Sequence, residues 1–167
     1  MNDTLKKWLL YALGGLMPIW LLDTVLLPRL GFAVAPVLLP VCVVAMSVLE
    51  GAFSGAQFGL LTGLVWALTY AQAPVGRIPL LTLVGMLAGV VSQYALRRSL
   101  SGHMLCAAGV MVLMEVVNIL GGLINALAAP GPLMLLAVKE FAATMVCAPL
   151  IYALFYKLYR KAGGKPV

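Results

Sequence analysis

The chain has 167 residues, a formal net charge of +6, 63% hydrophobic residues and a mean hydropathy of +1.08. A soluble domain carries about 45–50% apolar residues, so this composition excludes a water-soluble fold. Residues 1–167 are interpreted as one integral membrane domain that ends in a short basic tail at 157–167, because no separate polar module interrupts the sequence.

Six apolar stretches are long enough to cross a bilayer, which takes about 20 residues within a range of about 17–25. They are Trp8–Leu27, Ala33–Leu49, Ala52–Tyr70, Ile78–Leu96, Met104–Ala128 and Leu133–Phe155. The sequence therefore predicts an all-α, polytopic membrane protein with six transmembrane helices. The break at Glu50-Gly51 is the tightest, and without a turn there the number of spans falls to five.

Lys6 and Lys7 precede the first stretch, as basic residues precede the apolar part of a signal peptide. We nevertheless interpret this stretch as a helix that is not cleaved off. The stretch carries Asp23 near its end and leads into further membrane segments, which argues against cleavage. Pro18 is expected to bend this helix, because proline removes a backbone N–H.

A row of glycines with four-residue spacing marks the third stretch. It consists of Gly51, Gly55, Gly59 and Gly63, and Gly85 and Gly89 repeat the spacing in the fourth stretch. Small residues at this spacing let helix backbones approach closely in lipid, where hydrophobicity does not drive helices together. We predict that these glycines pack the third and fourth helices against each other, with docking of a second protein as the alternative.

The basic residues predict the orientation of the bundle. With six spans and the N-terminus inside, eight Lys and Arg residues fall on the inner side, against Arg29, Arg77 and Lys139 on the outer side. This asymmetry follows the positive-inside rule, so both termini are predicted to be cytoplasmic. The basic tail is expected to contact anionic lipid headgroups rather than nucleic acid.

Ionisable residues at membrane depth are the main functional candidates, since they are costly in lipid and usually face a bundle interior or a cavity. Asp23 and Glu50 lie near span ends, where an interfacial role is expected. Glu115 lies near the middle of the fifth span.

Polar residues form a stripe on the fifth helix. Glu115, Asn118, Gly122 and Asn125 follow one another at intervals of three or four residues, which places them on one helical face. Lys139 and Glu140 enter the antiparallel sixth helix at a similar depth, and we predict an ion pair between Glu115 and Lys139. The cluster is either a structural lock between two helices or a polar pocket or docking seam.

Catalytic and metal-binding motifs are missing from the sequence. Cys42, Cys106 and Cys147 show no CxxC spacing, and His103 is expected to be an interfacial polar residue. No nucleophile elbow, zinc-protease motif or phosphate loop occurs. We therefore expect neither a cofactor nor an enzymatic activity.

Three segments together resemble the MreD family of bacterial rod-shape-determining membrane proteins. Residues 36–68 show a proline before an apolar span and then the glycine row with Phe58 and Gly63-Leu64. Residues 84–98 resemble the family's glycine-bearing fourth helix with a basic end. Residues 137–161 resemble its closing helix, with Glu140, Ala148-Pro149 and a basic exit. The sequence departs from the pattern at Ala67, where many members have an aspartate.

The resemblance implies a non-enzymatic subunit of the cell-wall elongation machinery in the bacterial cytoplasmic membrane. Members of the family associate with MreC, a single-span protein, and with the actin-like filament and the peptidoglycan synthesis enzymes. The six-helix architecture would also resemble the substrate-binding subunits of energy-coupling-factor transporters. A vitamin-binding subunit of that type, to which residues 59–68 are similar, is the alternative function, with Trp66, Tyr70, Glu115, Asn118 and Asn125 as its candidate pocket residues.

Overall fold

A computed structural model describes residues 3–29, 36–69, 76–94, 99–124 and 130–163. Over these residues the chain forms six helices and no strand, which confirms the all-α fold class. The helices are α1 (residues 3–29), α2 (Leu39–Glu50), α3 (Ala52–Thr69), α4 (Arg77–Tyr94), α5 (Leu100–Ile124) and α6 (Pro130–Lys161). Asn125, Tyr70 and the first residues of the predicted second span lie outside the described residues.

Five helices of the described chain are long and apolar enough to cross a membrane. The spanning parts are Lys6–Leu26, Ala52–Thr69, Arg77–Tyr94, Leu100–Ile124 and Gly131–Lys161. Helix α2 has 12 residues, which at 1.5 Å per residue make about 18 Å, well short of the bilayer core of about 30 Å. The protein is thus multi-pass, while the six-span topology stays a prediction.

Helix α1 is interrupted by two π-helical turns. The α-helical parts are Asp3–Tyr11, Met17–Leu21 and Leu27–Arg29, and the π turns are Ala12–Leu16 and Leu22–Leu26. Each π turn comes just before a proline, Pro18 and Pro28. Because proline cannot donate to the carbonyl four residues earlier, a local change in hydrogen-bonding pattern accommodates it.

Local sequence determines where α2 begins and ends. Pro40 occupies its first turn, where the missing N–H costs nothing. Gly51 ends the helix with φ 99° and ψ −179°, a conformation that glycine adopts readily and other residues rarely do. Helix α3 begins at the next residue, so the tight break that the sequence predicted at Glu50-Gly51 is present.

Helix α2 is the centre of the bundle. Every residue from Leu39 to Leu49 is buried, so the helix is enclosed on all sides. The outer faces of the longer helices instead expose large apolar side chains, including Phe53, Leu68, Val146 and Leu150. An apolar outer surface of this kind is suited to contact with lipid rather than with water.

The chain enters α2 through a non-helical segment at membrane depth. The backbone N–H of Val37 donates to Thr144 Oγ1, 2.9 Å away near the middle of α6. The Asp23 carboxylate of α1 lies against the backbone N–H of Leu38. Irregular backbone at this depth requires protein partners, because lipid offers none. Asp23 was expected to have an interfacial role, which stays a prediction, and the structure adds that its carboxylate faces the start of α2.

The other end of α2 is fastened to α1 by Glu50. Its two carboxylate oxygens accept from Lys7 Nζ at 2.7 Å and from Tyr11 Oη at 2.6 Å. The Glu50 side chain is only 11% exposed. Hydrogen bonds to a charged group contribute about 1.5–3 kcal/mol, so this contact holds the two helices in register.

The glycine row forms a close antiparallel contact between α3 and α4. A methyl group built on Gly55 would lie 2.6 Å from the Gly85 carbonyl oxygen, and one on Gly63 would lie 2.9 Å from Ile78 Cα. Gly59 faces the backbone of Leu81 in the same way, and Gly89 faces Ala52. Gly51 ends α2 beside the Gln93 side chain. The row is therefore occupied inside the bundle and presents no surface to a second protein.

Candidate functional site

Four polar side chains from three helices form a connected chain, in which Asn118 is exposed, Arg77 and Glu140 are half-buried and Glu115 is buried. Arg77, the first residue of α4, donates from Nη2 to Asn118 Oδ1 on α5 at 3.2 Å. The Asn118 amide contacts the Glu115 carboxyl one turn away. The Glu115 carboxyl in turn lies against the carboxyl of Glu140 on α6. Glu115 itself is buried, with 9% of its surface exposed.

A cavity of about 220 Å³ lies beside this polar chain. Five helices or their entry segments contribute to its wall. Its lining residues are Val37, Pro40, Trp66, Arg77, Met111, Met114, Glu115, Asn118 and Glu140. The cavity thus combines a cation, an amide and two carboxyl groups with an apolar and aromatic wall, which is the usual composition of a small-molecule site.

Trp66 fixes the position of the Arg77 guanidinium. The Arg77 Cζ atom lies 4.9 Å from the centre of the Trp66 ring, within cation–π distance. Because Trp66 is on α3 and Arg77 begins α4, the glycine contact between these helices also brings the two side chains together. The ring contact and the hydrogen bond to Asn118 together hold the guanidinium at this place.

A second, larger cavity of about 720 Å³ adjoins the first. The two share five lining residues, namely Arg77, Met114, Glu115, Asn118 and Glu140. Beyond them the larger cavity is lined mainly by apolar residues of α4, α5 and α6, among them Leu80, Val117 and Leu136. The polar chain therefore lies where a wide apolar cavity narrows into the bundle interior.

The predicted ion pair between Glu115 and Lys139 is not formed. Lys139 is exposed on α6 and does not line either cavity, whereas its neighbour Glu140 lines both. Consecutive residues of a helix point about 100° apart, so only one of the two can face α5. The prediction identified the right segment and depth but the wrong residue of the pair.

The polar stripe predicted on α5 is present as far as the structure describes it. Glu115, Asn118 and Gly122 all line the larger cavity, and Gly122 packs against Leu133 at the start of α6. Asn125 lies outside the described residues, as does Tyr70.

Sequence reasoning missed two members of the site, Arg77 and Trp66. Arg77 was assigned only to the outer side of the membrane, and Trp66 was named only as a residue of the alternative vitamin pocket. The position of Arg77 at a helix start could have indicated its role, because α4 runs antiparallel to α3 and α5 and its first residue therefore lies beside their last turns. The register of the glycines could have indicated Trp66, because it places this residue close to the start of α4.

His103, expected to be an interfacial polar residue, lies in the first turn of α5 with its side chain packed inside the bundle. The side chain is fully buried, and its ring stacks on Tyr152 with the ring centres 5.1 Å apart. Cys42 and Cys106 are buried, and Cys147 is partly buried. Within the described residues, no group of three or more His, Cys, Asp and Glu side chains is placed to hold a metal ion.

The candidate site is therefore the polar chain with its cavity. It can hold charged groups of a small solute, because opposite charges line one wall and the rest is apolar. Comparisons with known proteins add no parallel for it, since the chain matches no protein-family model, no curated protein and no solved structure.

Proposed function

We propose that the protein is a non-enzymatic, MreD-like subunit of the bacterial cell-wall elongation complex. In this proposal it resides in the cytoplasmic membrane with six crossings and both termini inside. It binds an MreC-like single-span protein and, directly or through it, the actin-like filament and the peptidoglycan synthesis enzymes. Its task is to hold these components together so that wall synthesis maintains the shape of the cell.

One observation carries the proposal: the segment with the family resemblance is also the centre of the fold. Residues 36–68 comprise the entry to α2, the buried helix itself and nearly all of α3. The quoted glycines end α2 or lie in the α3–α4 contact. A pattern that serves the central packing of the bundle is the kind that relatives with different surfaces would share, which supports the resemblance.

In this proposal the partner packs on the outer surface of the bundle. Since the glycine row is filled by α4, an MreC-like helix would pack on the outer faces of the bundle. Four helices each carry an exposed leucine on their outer face: Leu13 on α1, Leu60 on α3, Leu83 on α4 and Leu150 on α6. They are the positions at which a partner helix is best sought.

The test is photo-crosslinking in the bacterial membrane from which the protein derives. A photoreactive phenylalanine analogue placed at each exposed leucine is expected to capture an MreC-like protein from at least one position. The same analogue at Phe58, which is fully buried, serves as the matched control and should give no such product. Depletion of the protein should make rod-shaped cells round. Capture of no MreC-like protein, together with unchanged cell shape, would overturn the proposal.

The polar cavity favours a second candidate, the vitamin-binding subunit of an energy-coupling-factor transporter. Trp66, Glu115 and Asn118, which sequence analysis assigned to that alternative, all line the cavity. Native mass spectrometry of the protein in mild detergent decides between the candidates. A bound vitamin at one copy per chain would replace the scaffold proposal, and its absence would leave the transporter candidate without a substrate.

A further inference from the structure

The bundle contains unfilled space beside the polar chain. Protein interiors are normally packed as densely as organic crystals, and few voids exceed the size of a water molecule. The inner cavity nevertheless measures about 220 Å³, against about 30 Å³ for one water in the liquid. A structural lock between helices needs no such volume. The space is large enough for a small solute.

The Glu115 and Glu140 carboxyl groups supply one half of a charge pattern. Both side chains line the same wall of the cavity, and their carboxyl oxygens are hydrogen-bond acceptors. This cluster of oxygens matches a protonated amine with its several N–H donors.

The Arg77 guanidinium supplies the other half. Arginine presents a planar fork of N–H donors that fits a carboxylate, and the contact with the Trp66 ring holds the guanidinium at the cavity wall. Asn118 connects the guanidinium to the carboxyl pair, so the positive and negative groups lie at neighbouring but separate places on the wall.

The two kinds of charge on the wall select the class of solute, because the carboxyl groups and the guanidinium line the same cavity. An amine alone would use only the carboxyl groups, and an organic acid alone would use only the guanidinium. A solute with one charge of each sign places each of its charges against the opposite one and adds no net charge to the site.

We propose that this cavity binds a small zwitterion, with its ammonium group on Glu115 and Glu140 and its carboxylate on Arg77. An amino acid is the simplest solute with both groups. The larger apolar cavity between α4, α5 and α6 leads to the site and accommodates an apolar side chain. The inference rests on the cavity alone and does not depend on the scaffold function; a bound vitamin in this cavity would replace it.

The experiment measures thermal unfolding of the purified full-length protein in detergent with each of the twenty L-amino acids. A ligand that binds only the folded state raises the midpoint, and the rise grows with the logarithm of the ratio of its concentration to its Kd. We expect one amino acid, or a related group, to raise it. The matched amine without the carboxyl group, and the matched acid without the amino group, should give at most a tenth of the affinity.

Three variants assign the effect to the cavity. Arg77→Gln and Glu140→Gln are expected to weaken binding of the active amino acid at least tenfold. Lys139→Gln is the matched control, because Lys139 neighbours Glu140 in sequence but is exposed and lies outside the cavity. It should bind as the unmodified protein does.

Three results would overturn the proposal. The first is that no amino acid shifts the midpoint. The second is that the amine or the acid alone binds as tightly as the amino acid. The third is that Arg77→Gln and Glu140→Gln bind normally. If these variants fail to fold, the analogue series on the unmodified protein still decides. Partner capture by photo-crosslinking is independent of all these measurements.

Discussion

Helix α4 takes part in two contrasting regions of the molecule. Along most of its length it packs backbone to backbone against the glycines of α3, with no space for an added methyl group. At its first residue, Arg77 borders a polar cavity of about 220 Å³. One region is closed and apolar, and the other is open and charged. The comparison shows that tight packing between two helices can position the residues that line an unfilled cavity nearby.

The two regions are connected through Trp66 and Arg77. Gly63 packs against Ile78, which follows Arg77 directly in the chain. The glycine contact therefore determines the position of the Arg77 backbone, and Trp66 determines the position of its guanidinium group. Stability is expected to reside mainly in the glycine contact, and binding in the cavity. The following substitutions test this division.

The largest effect is expected from Gly59→Ala in the closed region. The added Cβ would lie 2.9 Å from the backbone carbonyl carbon of Leu81 and 3.1 Å from Thr82 Cα. Backbone cannot move aside as a side chain can, so we expect a loss of about 2–3 kcal/mol in the free energy of unfolding. Denaturant unfolding in detergent measures it.

Gly109→Ala is the matched control, because a methyl group there meets nothing within 4 Å. Alanine also favours helix over glycine, so this variant should be as stable as the unmodified protein or slightly more stable. Equal losses at Gly59 and Gly109 would contradict the assignment of stability to the α3–α4 contact.

An intermediate effect is expected from Thr144→Val, at the point where the chain enters α2. The substitution leaves the Val37 N–H without its acceptor inside the bundle, at a cost of about 1–3 kcal/mol. Thr62→Val is the control. Thr62 is equally buried, but its hydroxyl bonds only the Phe58 carbonyl of its own helix, which has a helical partner as well. A loss confined to Thr144→Val supports the entry contact, and similar losses in both variants would reject it.

The smallest effect on stability is expected from Glu115→Gln. Glutamine keeps the size of the side chain and retains hydrogen-bonding groups toward Asn118 and Glu140, so we expect a change below about 1 kcal/mol. The same unfolding measurement applies. A loss as large as that of Gly59→Ala would mean that the polar chain locks the helices together, and the division between the two regions would fail.

Much of the fold could be predicted from periodicity and span length. The glycine spacing indicated close packing, and the Glu50-Gly51 break corresponds to a real turn with a positive φ at Gly51. The short length of α2 could not be predicted, because residues 33–49 are apolar enough for a whole span. The residues just before the helix are held by a long-range contact that spacing does not reveal, since the Val37 N–H donates to Thr144, more than one hundred positions later in the chain.

The site could be predicted only in part, because spacing shows which residues share a helical face but not which way a helix is rotated. Helical spacing correctly placed Glu115 and Asn118 on one face of α5. Spacing alone could not decide between Lys139 and Glu140, since the rotation of α6 about its axis depends on packing over its whole length. An electrostatic argument favoured an ion pair of opposite charges, whereas the fold places two carboxyl groups in contact and supplies Arg77 from a third helix.

Helix α2 has a consequence for how the protein enters the membrane. A segment that inserts by itself must offer lipid a full-length apolar surface, and this 12-residue helix has no side that reaches lipid in the finished bundle. It can be accommodated only together with neighbouring helices, through Lys7 and Tyr11 at one end and Thr144 at the other. Since Thr144 is translated last, the second segment reaches its final position only after α6 has been made.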